Sequence, residues 1–295
     1  MTAVPFIKGE NCGNDYVLVD VGLGPDAVPE TILGDPGIWS REVSHRHTGI
    51  GADGLILVSA REGEDARSGD SATAVRMRMW NNDGSRGKLC LNGLSQVALF
   101  AHGVTGQTEF TVDTDSGPRG VLVSRGEAGI EIEIAAGAAD FRRSALPAEG
   151  ETDEIWGEPF SAGVGDLPGF AVSVGNPHLV LWADDPDHVT SAPLAGFGPA
   201  IQESGRFPDG VNVHLAAAID SGHIVMRPWE RGSGATLACG SGAVAVFAVA
   251  RRLGQVGESA EVAQPGGSVR LREPADGMRF LAQPALPFTG VWSRS

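Results

Sequence analysis

The sequence predicts an α+β chain, with α and β elements mixed, organised as two pseudo-symmetric domains from an internal duplication. Three observations predict it. The same signposts occur in the same order in both halves, each half has an apolar helix-like run just after a cysteine, and each half closes on a strand hairpin. At 295 residues the chain is long enough for two cores, since single domains usually run to roughly 100–150 residues. Its 42 glycines favour many tight turns.

The elements follow in matching order. Asn14, after Gly13, opens an apolar strand over 16–19 that ends at Asp20; Asn176, after Gly175, opens one over 179–182, with Asp184 beyond. Asp53 and Gly54 introduce a strand over 55–58, as Asp209 and Gly210 introduce one over 211–215. Trp80 stands ten residues before Cys90, and Trp229 ten residues before Cys239. Helix-like runs follow at 94–102 and 243–252, each stopped by a glycine, Gly103 or Gly254. Strands over 121–124 and 130–134 flank a turn at 126–129, and strands over 269–272 and 278–282 flank one at 273–277. A polar hairpin loop is expected over 59–74 and a connection between the halves over 135–168, neither carrying chemistry. The domains are therefore expected at 1–135 and 136–283, with the second repeat starting near 169. Residues 284–295 form a C-terminal tail whose return to the first domain is left open.

A formal charge of −15 argues against DNA or RNA as partners, because nucleic-acid affinity rests largely on Lys and Arg neutralising phosphates. No run of eighteen apolar residues suggests a membrane span, and the N-terminal stretch lacks a basic segment followed by an apolar one. A cytoplasmic protein is expected, whose three cysteines remain thiols. Lys8 and Lys88 are the only lysines; neither lies in a setting for a pyridoxal phosphate Schiff base, and no phosphate-binding loop is present. No Cys-x-x-Cys or His-x-x-x-His spacing points to a metal. The expectation is no cofactor, no metal, and a small-molecule substrate.

Cys90 and Cys239 each precede a helix, whose first turn offers unsatisfied N–H groups and a partial positive charge. That setting favours a thiolate and can also hold a carboxylate. Two related domains are expected to pack about a pseudo-two-fold axis, facing equivalent positions across a cleft. Two thiols on opposite sides of one α-carbon could then invert it, one removing the proton and the other supplying one, while the helix amides stabilise charge developing on the substrate carboxylate. Cys12 has no counterpart in the second half and is read as structural.

Polar residues near these cysteines could read the substrate. Glu230 and Arg231 lie nine and eight residues before Cys239, and Asn81 occupies the place equivalent to Glu230. Arg231 could clamp a second carboxylate, with Asn14, Asn176 and Asn212 on strand edges hydrogen-bonding it. His178, in the run from Gly175 to His178, could partner a thiol.

These motifs resemble those of the diaminopimelate epimerase family over nearly the whole chain. The most specific is the block of residues 230–234 and 236–242 around Cys239; residues 13–16, 49–54, 81–85 with Cys90, Asn92 and Gly93, and 175–178 support it. The resemblance implies interconversion of LL- and meso-diaminopimelate, a late step toward lysine and cell-wall peptide, without cofactor and as a homodimer. It implies two similar domains, each a curved, mostly antiparallel sheet around a central helix. By similarity, Asn14, Asn81, Asn176, Asn212 and Arg231 hold the substrate's distal end. Glu230 and the amides around Leu91, Asn92, Gly93, Gly240 and Ser241 hold the reacting end, with His178 near Cys90 and Glu230 near Cys239 assisting proton movement.

The chain departs from the pattern mainly around the first cysteine. Leu91 replaces a glycine, and Leu94, Ser95 and Gln96 replace a small residue and an arginine. Ala235 stands where a glutamate is usual, and Glu10, Asn11 and Cys12 precede Gly13. Two alternatives follow: a cofactor-independent racemase or epimerase of another α-amino acid in a specialised pathway, and a non-catalytic binding paralogue.

Overall fold

The computed structural model describes residues 2–61, 75–126, 129–161 and 165–294. Residues 62–74 of the expected polar loop and 127–128 of the expected turn lie outside the described residues. Two compact units emerge, Met1–Ala135 with Leu281–Ser295, and Ala136–Phe280.

The chain begins with β1 (Thr2–Asn11), β2 (Asn14–Asp20), α1 (Pro36–Ser44), β3 (Gly54–Ala60), β4 (Val75–Asn81) and the short β5 (Arg86–Gly87). Helix α2 (Leu91–Thr105) and strands β6 (Glu109–Thr114), β7 (Gly117–Gly126) and β8 (Gly129–Gly137) follow. Next come β9 (Trp156–Ser161), β10 (Asp166–Ser173), β11 (Pro177–Trp182), α3 (Pro186–Ser191), α4 (Leu194–Gln202), β12 (Asn212–Asp220), β13 (His223–Glu230) and the short β14 (Gly234–Ala235). The last elements are α5 (Gly240–Arg252), β15 (Ser259–Gln264), β16 (Gly267–Arg272), β17 (Met278–Ala282) and β18 (Ala285–Arg294).

In the first unit the sheet runs β18, β1, β2, β3, β4, β6, β7, β8, with β2–β3 and β4–β6 parallel and the other neighbours antiparallel. Helix α2 packs against β1, β2, β4, β7 and β18, so the sheet curves around it. The strand alternation explains how. Val17, Val19, Leu55 and Leu57 join Trp39 and Val43 of α1 in one core cluster, whereas Tyr16 and Ile56, on the other face, lie against Gly93 of α2. With a helix on both faces, β2 and β3 read as continuous apolar runs.

The second unit repeats this order as β9, β10, β11, β12, β13, β15, β16, with β11–β12 and β13–β15 parallel. Helix α5 packs against β10, β11, β12, β13, β15 and β16. Leu179, Leu181, Val213 and Leu215 face Val189 of α3 and Leu194, Phe197 and Ile201 of α4. Their neighbours His178 and His214 point to the other face, where His214 meets Gly242 of α5. The chain is thus α+β, with two topologically alike units.

Three details differ from the sequence reading. Gly103 does not stop the first helix: α2 continues to Thr105, and Gly106 at φ 72° closes it, its N–H bonding the His102 carbonyl at 2.8 Å. Of Gly103 and Gly106, Gly106 alone adopts the left-handed conformation that this C-terminal cap requires. The stretch 135–168 is more than a connection, because it contains β9, paired with β10, and Phe160 of β9 is buried in the core. Its Gly, Pro and acidic residues conceal the alternation. The region beyond residue 20 also forms α1, made possible by Asp35, whose carboxylate accepts from the Gly37 and Ile38 N–H groups ahead of Pro36.

Candidate active site

Each unit builds a cysteine-capped helix start. In the first, Cys90 is the N-cap of α2, extended at φ −135° and ψ 120°, and its Sγ accepts the Gly93 N–H at 3.4 Å. Cysteine here takes the part that Ser or Asp usually plays. The Leu94 N–H bonds the Cys90 carbonyl at 2.8 Å, so the Leu91 and Asn92 amides stand ahead of the first intrahelical bond, at the positive end of the helix. Leu91 needs no unusual backbone conformation, because the positive-φ residues other than glycine are Cys12 and Pro147 among the described residues. Its bulk is absorbed, for Leu91 is buried.

Around Cys90 lie residues of β2. The thiol donates to Asn14 Oδ1 at 3.2 Å, and Asn14 Nδ2 donates to Asp53 Oδ2 at 2.7 Å. Asp53 Oδ2 also accepts the Asp15 N–H at 3.2 Å, while Arg46 bridges Asp53 Oδ1 and Asp15 Oδ1, each at 2.8 Å. Lys8 pairs with Asp15 at 2.5 Å and donates to the Gly51 carbonyl. Tyr16 is buried beside Cys90; burial first, then the sulfur's charge and hydrogen bond, pushes its phenol well above the usual range. Gln96, one of the departures near the first cysteine, donates to the Asn14 carbonyl at 2.9 Å and fills the space beside Gly9, fixing the strand to the helix. Asn92 is fully buried and accepts from Asn11 at 2.9 Å, and Asn81 ends β4 with its side chain on Ser85 at 2.9 Å.

In the second unit Cys239 caps α5 at φ −130° and ψ 107°, with Sγ accepting the Gly242 N–H at 3.3 Å and Ser241 Oγ 3.7 Å away. The Ala243 N–H bonds the Cys239 carbonyl at 2.9 Å, which leaves the Gly240 and Ser241 amides at the mouth of the helix. The Cys239 N–H is held by Gln264 Oε1 at 2.7 Å. Burial, followed by the charge of Glu230 and a hydrogen bond to it, raises the Cys239 thiol well above the usual cysteine range; the Gly242 N–H and Ser241 pull the other way. Glu230, at the end of β13, is itself anchored by Thr236 Oγ1 at 2.5 Å. A carboxylate therefore sits against the sulfur.

His178 and His214 are fully buried, stacked with centroids 5.0 Å apart, and joined from Nδ1 of His178 to Nε2 of His214 at 2.8 Å. His178 Nε2 meets Asn176 Oδ1 at 2.9 Å. Burial is the leading cause that holds both imidazoles neutral, pushing His178 well below its ordinary value and His214 down to about 3. Asn176 Nδ2 reaches Ser241 Oγ at 3.5 Å. Asn212 donates to the Pro177 carbonyl at 3.1 Å and accepts the Arg231 N–H at 2.9 Å, while the Arg231 guanidinium bonds the Asp209 carbonyl at 2.5 Å.

Each unit therefore gathers its own share of the expected residues: Cys90, Asn14, Leu91, Asn92 and Gly93 in the first, and Cys239, Glu230, Ser241, Asn176 and His178 in the second. Asn81 and Arg231 lie at strand ends, each with its own local partner. The sequence reading missed Tyr16, Asp53 as a side-chain partner, His214, Thr236 and Gln264. Strand alternation carried a usable signal for two of them, since Tyr16 shares a face with Asn14, and His214 with Asn212.

The chain is similar to known proteins in sequence and in fold. The diaminopimelate epimerase family profile covers residues 6–141 and 170–283. A diaminopimelate epimerase of Geobacillus kaustophilus is 37% identical over 300 residues, covering 99% of this chain and 97% of its own. One from Bacillus velezensis is 39% identical over 263 residues, covering 88% and 86%. Among solved structures, a predicted epimerase of Pseudomonas aeruginosa superposes with a TM-score of 0.68 at 17% identity, covering 99% of this chain and 100% of its own. A probable proline racemase of Agrobacterium radiobacter gives 0.60 at 13%, covering 99% and 93%. The structural likenesses establish a shared fold, and the sequence matches over both repeats go further: this chain belongs to the diaminopimelate epimerase family.

Proposed function

We propose that this amino-acid epimerase interconverts LL- and meso-diaminopimelate by a two-base mechanism, with Cys90 and Cys239 as the exchanging acid and base. One sulfur, as thiolate, removes the α-proton from one face of the substrate; the other, as thiol, delivers a proton to the opposite face. The roles exchange in the reverse direction. The observation that supports this reading best is the repeated sulfur cap: each cysteine receives its own helix amide, at 3.4 Å and 3.3 Å, and two further amides precede the first helical bond. Those amides suit a carboxylate whose charge grows as the α-proton leaves.

Around this centre the roles divide by chemistry. Glu230 draws the proton from Cys239, and the amides at Leu91, Asn92, Gly93, Gly240 and Ser241 grip the reacting carboxylate. Asn14, Asn81, Asn176, Asn212 and Arg231 read the distal amino-acid group, Arg231 by a charged clamp. His178 is neutral and holds Asn176. The enzyme needs no cofactor and serves lysine synthesis as a cytoplasmic homodimer, a placement supported by three cysteines that form no disulfide among the described residues.

The test is incubation of LL-diaminopimelate with the protein in deuterated water, followed by proton NMR and separation of isomers. Meso product with deuterium at the inverted carbon is expected. Exchange with a different amino acid and none with diaminopimelate would replace the substrate assignment, and absence of exchange with every amino acid would end the catalytic reading.

A further inference from the structure

Asn14 and Asn176 occupy equivalent places in the two units, each second before an aromatic residue, Tyr16 or His178, on the strand beside the capped helix. Their carboxamides are nevertheless held in opposite senses. Asn14 Nδ2 is taken by the Asp53 carboxylate at 2.7 Å, and Asn14 Oδ1 is thereby turned onto Cys90 Sγ at 3.2 Å. Asn176 Oδ1 is taken by His178 at 2.9 Å, and its Nδ2 is turned toward Ser241, the residue whose hydroxyl lies 3.7 Å from Cys239 Sγ. An ionised carboxylate only accepts hydrogen bonds, so Asp53 fixes which end of the Asn14 amide faces the sulfur.

We propose that Asp53 is a positioning residue that locks Asn14 with its oxygen toward Cys90 and thereby biases Cys90 toward the protonated, proton-donating thiol. The proposal deepens the two-thiol reading and rests on it for its catalytic meaning. The sign follows from simple electrostatics. A carbonyl oxygen 3.2 Å from sulfur accepts from S–H and repels S⁻, whereas the amide NH₂ would do the reverse.

Among the groups facing Cys90, the Asn14 oxygen opposes a thiolate, whereas the Tyr16 hydroxyl of β2, hydrogen-bonded to the sulfur, and the Gly93 N–H of its own helix favour one, and the lock sets the balance between them. The charged groups around Asp53 are Arg46, Asp15 and, through Asp15, Lys8. Arg46 donates to Asp53 Oδ1, which leaves Oδ2 as the acceptor that the Asn14 amide meets.

The test measures iodoacetamide alkylation of Cys90 against pH, resolved from Cys12 and Cys239 by peptide mass spectrometry, in the full-length protein and in Asp53→Ala, Asp53→Asn and Asn14→Ala. Asp53→Ala frees the amide to turn, and its Cys90 midpoint is expected to fall by about half a pH unit or more, roughly a threefold gain in thiolate below the midpoint. Asp53→Asn keeps an oxygen acceptor for Asn14 while removing the charge, and its midpoint is expected to stay near that of the parent. Asn14→Ala removes the oxygen on the sulfur, so its midpoint also falls, and it serves where Asp53→Ala fails to fold. Equal falls in Asp53→Ala and Asp53→Asn would assign the effect to charge and overturn the amide lock, as would an unchanged or raised midpoint in a folded Asp53→Ala or Asn14→Ala. Because alkylation is read without substrate, these outcomes are separate from failure of the epimerase reading, which the parent protein's solvent exchange decides.

Discussion

The imidazole of His214 occupies the space that a side chain on Gly242 would need, since a Cβ there would lie 2.4 Å from its Cε1 and 3.0 Å from Cys239 Sγ. The rigid ring cannot give way as a flexible chain would. Gly242→Ala is therefore expected to cost about 1–3 kcal/mol by overpacking and to lower Tm by roughly 2–4 °C per kcal/mol. Gly93→Ala in the first unit meets Cδ1 of Ile56, the far end of a flexible side chain, at 2.8 Å, and the Tyr16 ring only at 3.2 Å, so its loss should be smaller. Thermal unfolding of both variants checks the ranking.

Removing either sulfur cap should stop inversion. Cys90→Ser and Cys239→Ser are each expected to lower epimerisation by at least about 100-fold, because serine is far too weak an acid and base for the α-proton. Cys12→Ser should leave the rate near that of the parent, since Cys12 lies in the β1–β2 turn and caps no helix. Isomer separation after a fixed incubation reads all three.

Glu230 raises the Cys239 thiol by its charge and hydrogen bond, second only to burial. Glu230→Gln should therefore shift the alkylation midpoint of Cys239 downward, even as epimerisation falls through loss of the proton acceptor. A midpoint that rises would show that the carboxylate does not act on this sulfur. Peptide-resolved alkylation across pH supplies the measurement.

The two buried imidazoles make stability fall in acid. A histidine whose folded pKa is depressed binds its proton more readily when unfolded, so the unfolded state gains protons as pH drops below the unfolded value near 6.5. Stability is thus complete above that pH and is lost on acidification toward the folded value, about 3 for His214. The expected slope is up to about 1.4 kcal/mol per pH unit for each histidine. His214→Gln should flatten it by one proton's worth, as read from denaturant unfolding between pH 7 and 5.

Much of this was legible in the sequence for a physical reason: duplication repeats spacing, and spacing is visible in one chain. The Trp80-to-Cys90 and Trp229-to-Cys239 intervals placed both sulfurs at helix starts, where the structure has each as an N-cap. Other features left weaker traces. Both faces of β2 and β12 are covered by helices, so their apolar runs show no clean alternation, and Tyr16 and His214 passed as ordinary strand residues. Gly103 read as a helix stop because composition cannot distinguish a helical glycine from Gly106, whose φ of 72° makes it the cap. Phe160 and the strand β9 were hidden by Gly and Pro around them, where pairing to β10 outweighs local preference.

The partner of β1 is β18, with Thr2 opposite Arg294 and Val4 opposite Trp292. Residues 285–294 thus complete a sheet begun by residues 2–11, and β1 lacks that neighbour until the chain has run through all of Ala136–Phe280. The half that is translated first is consequently the half that matures last, and shortening the chain at its far end would injure the near one.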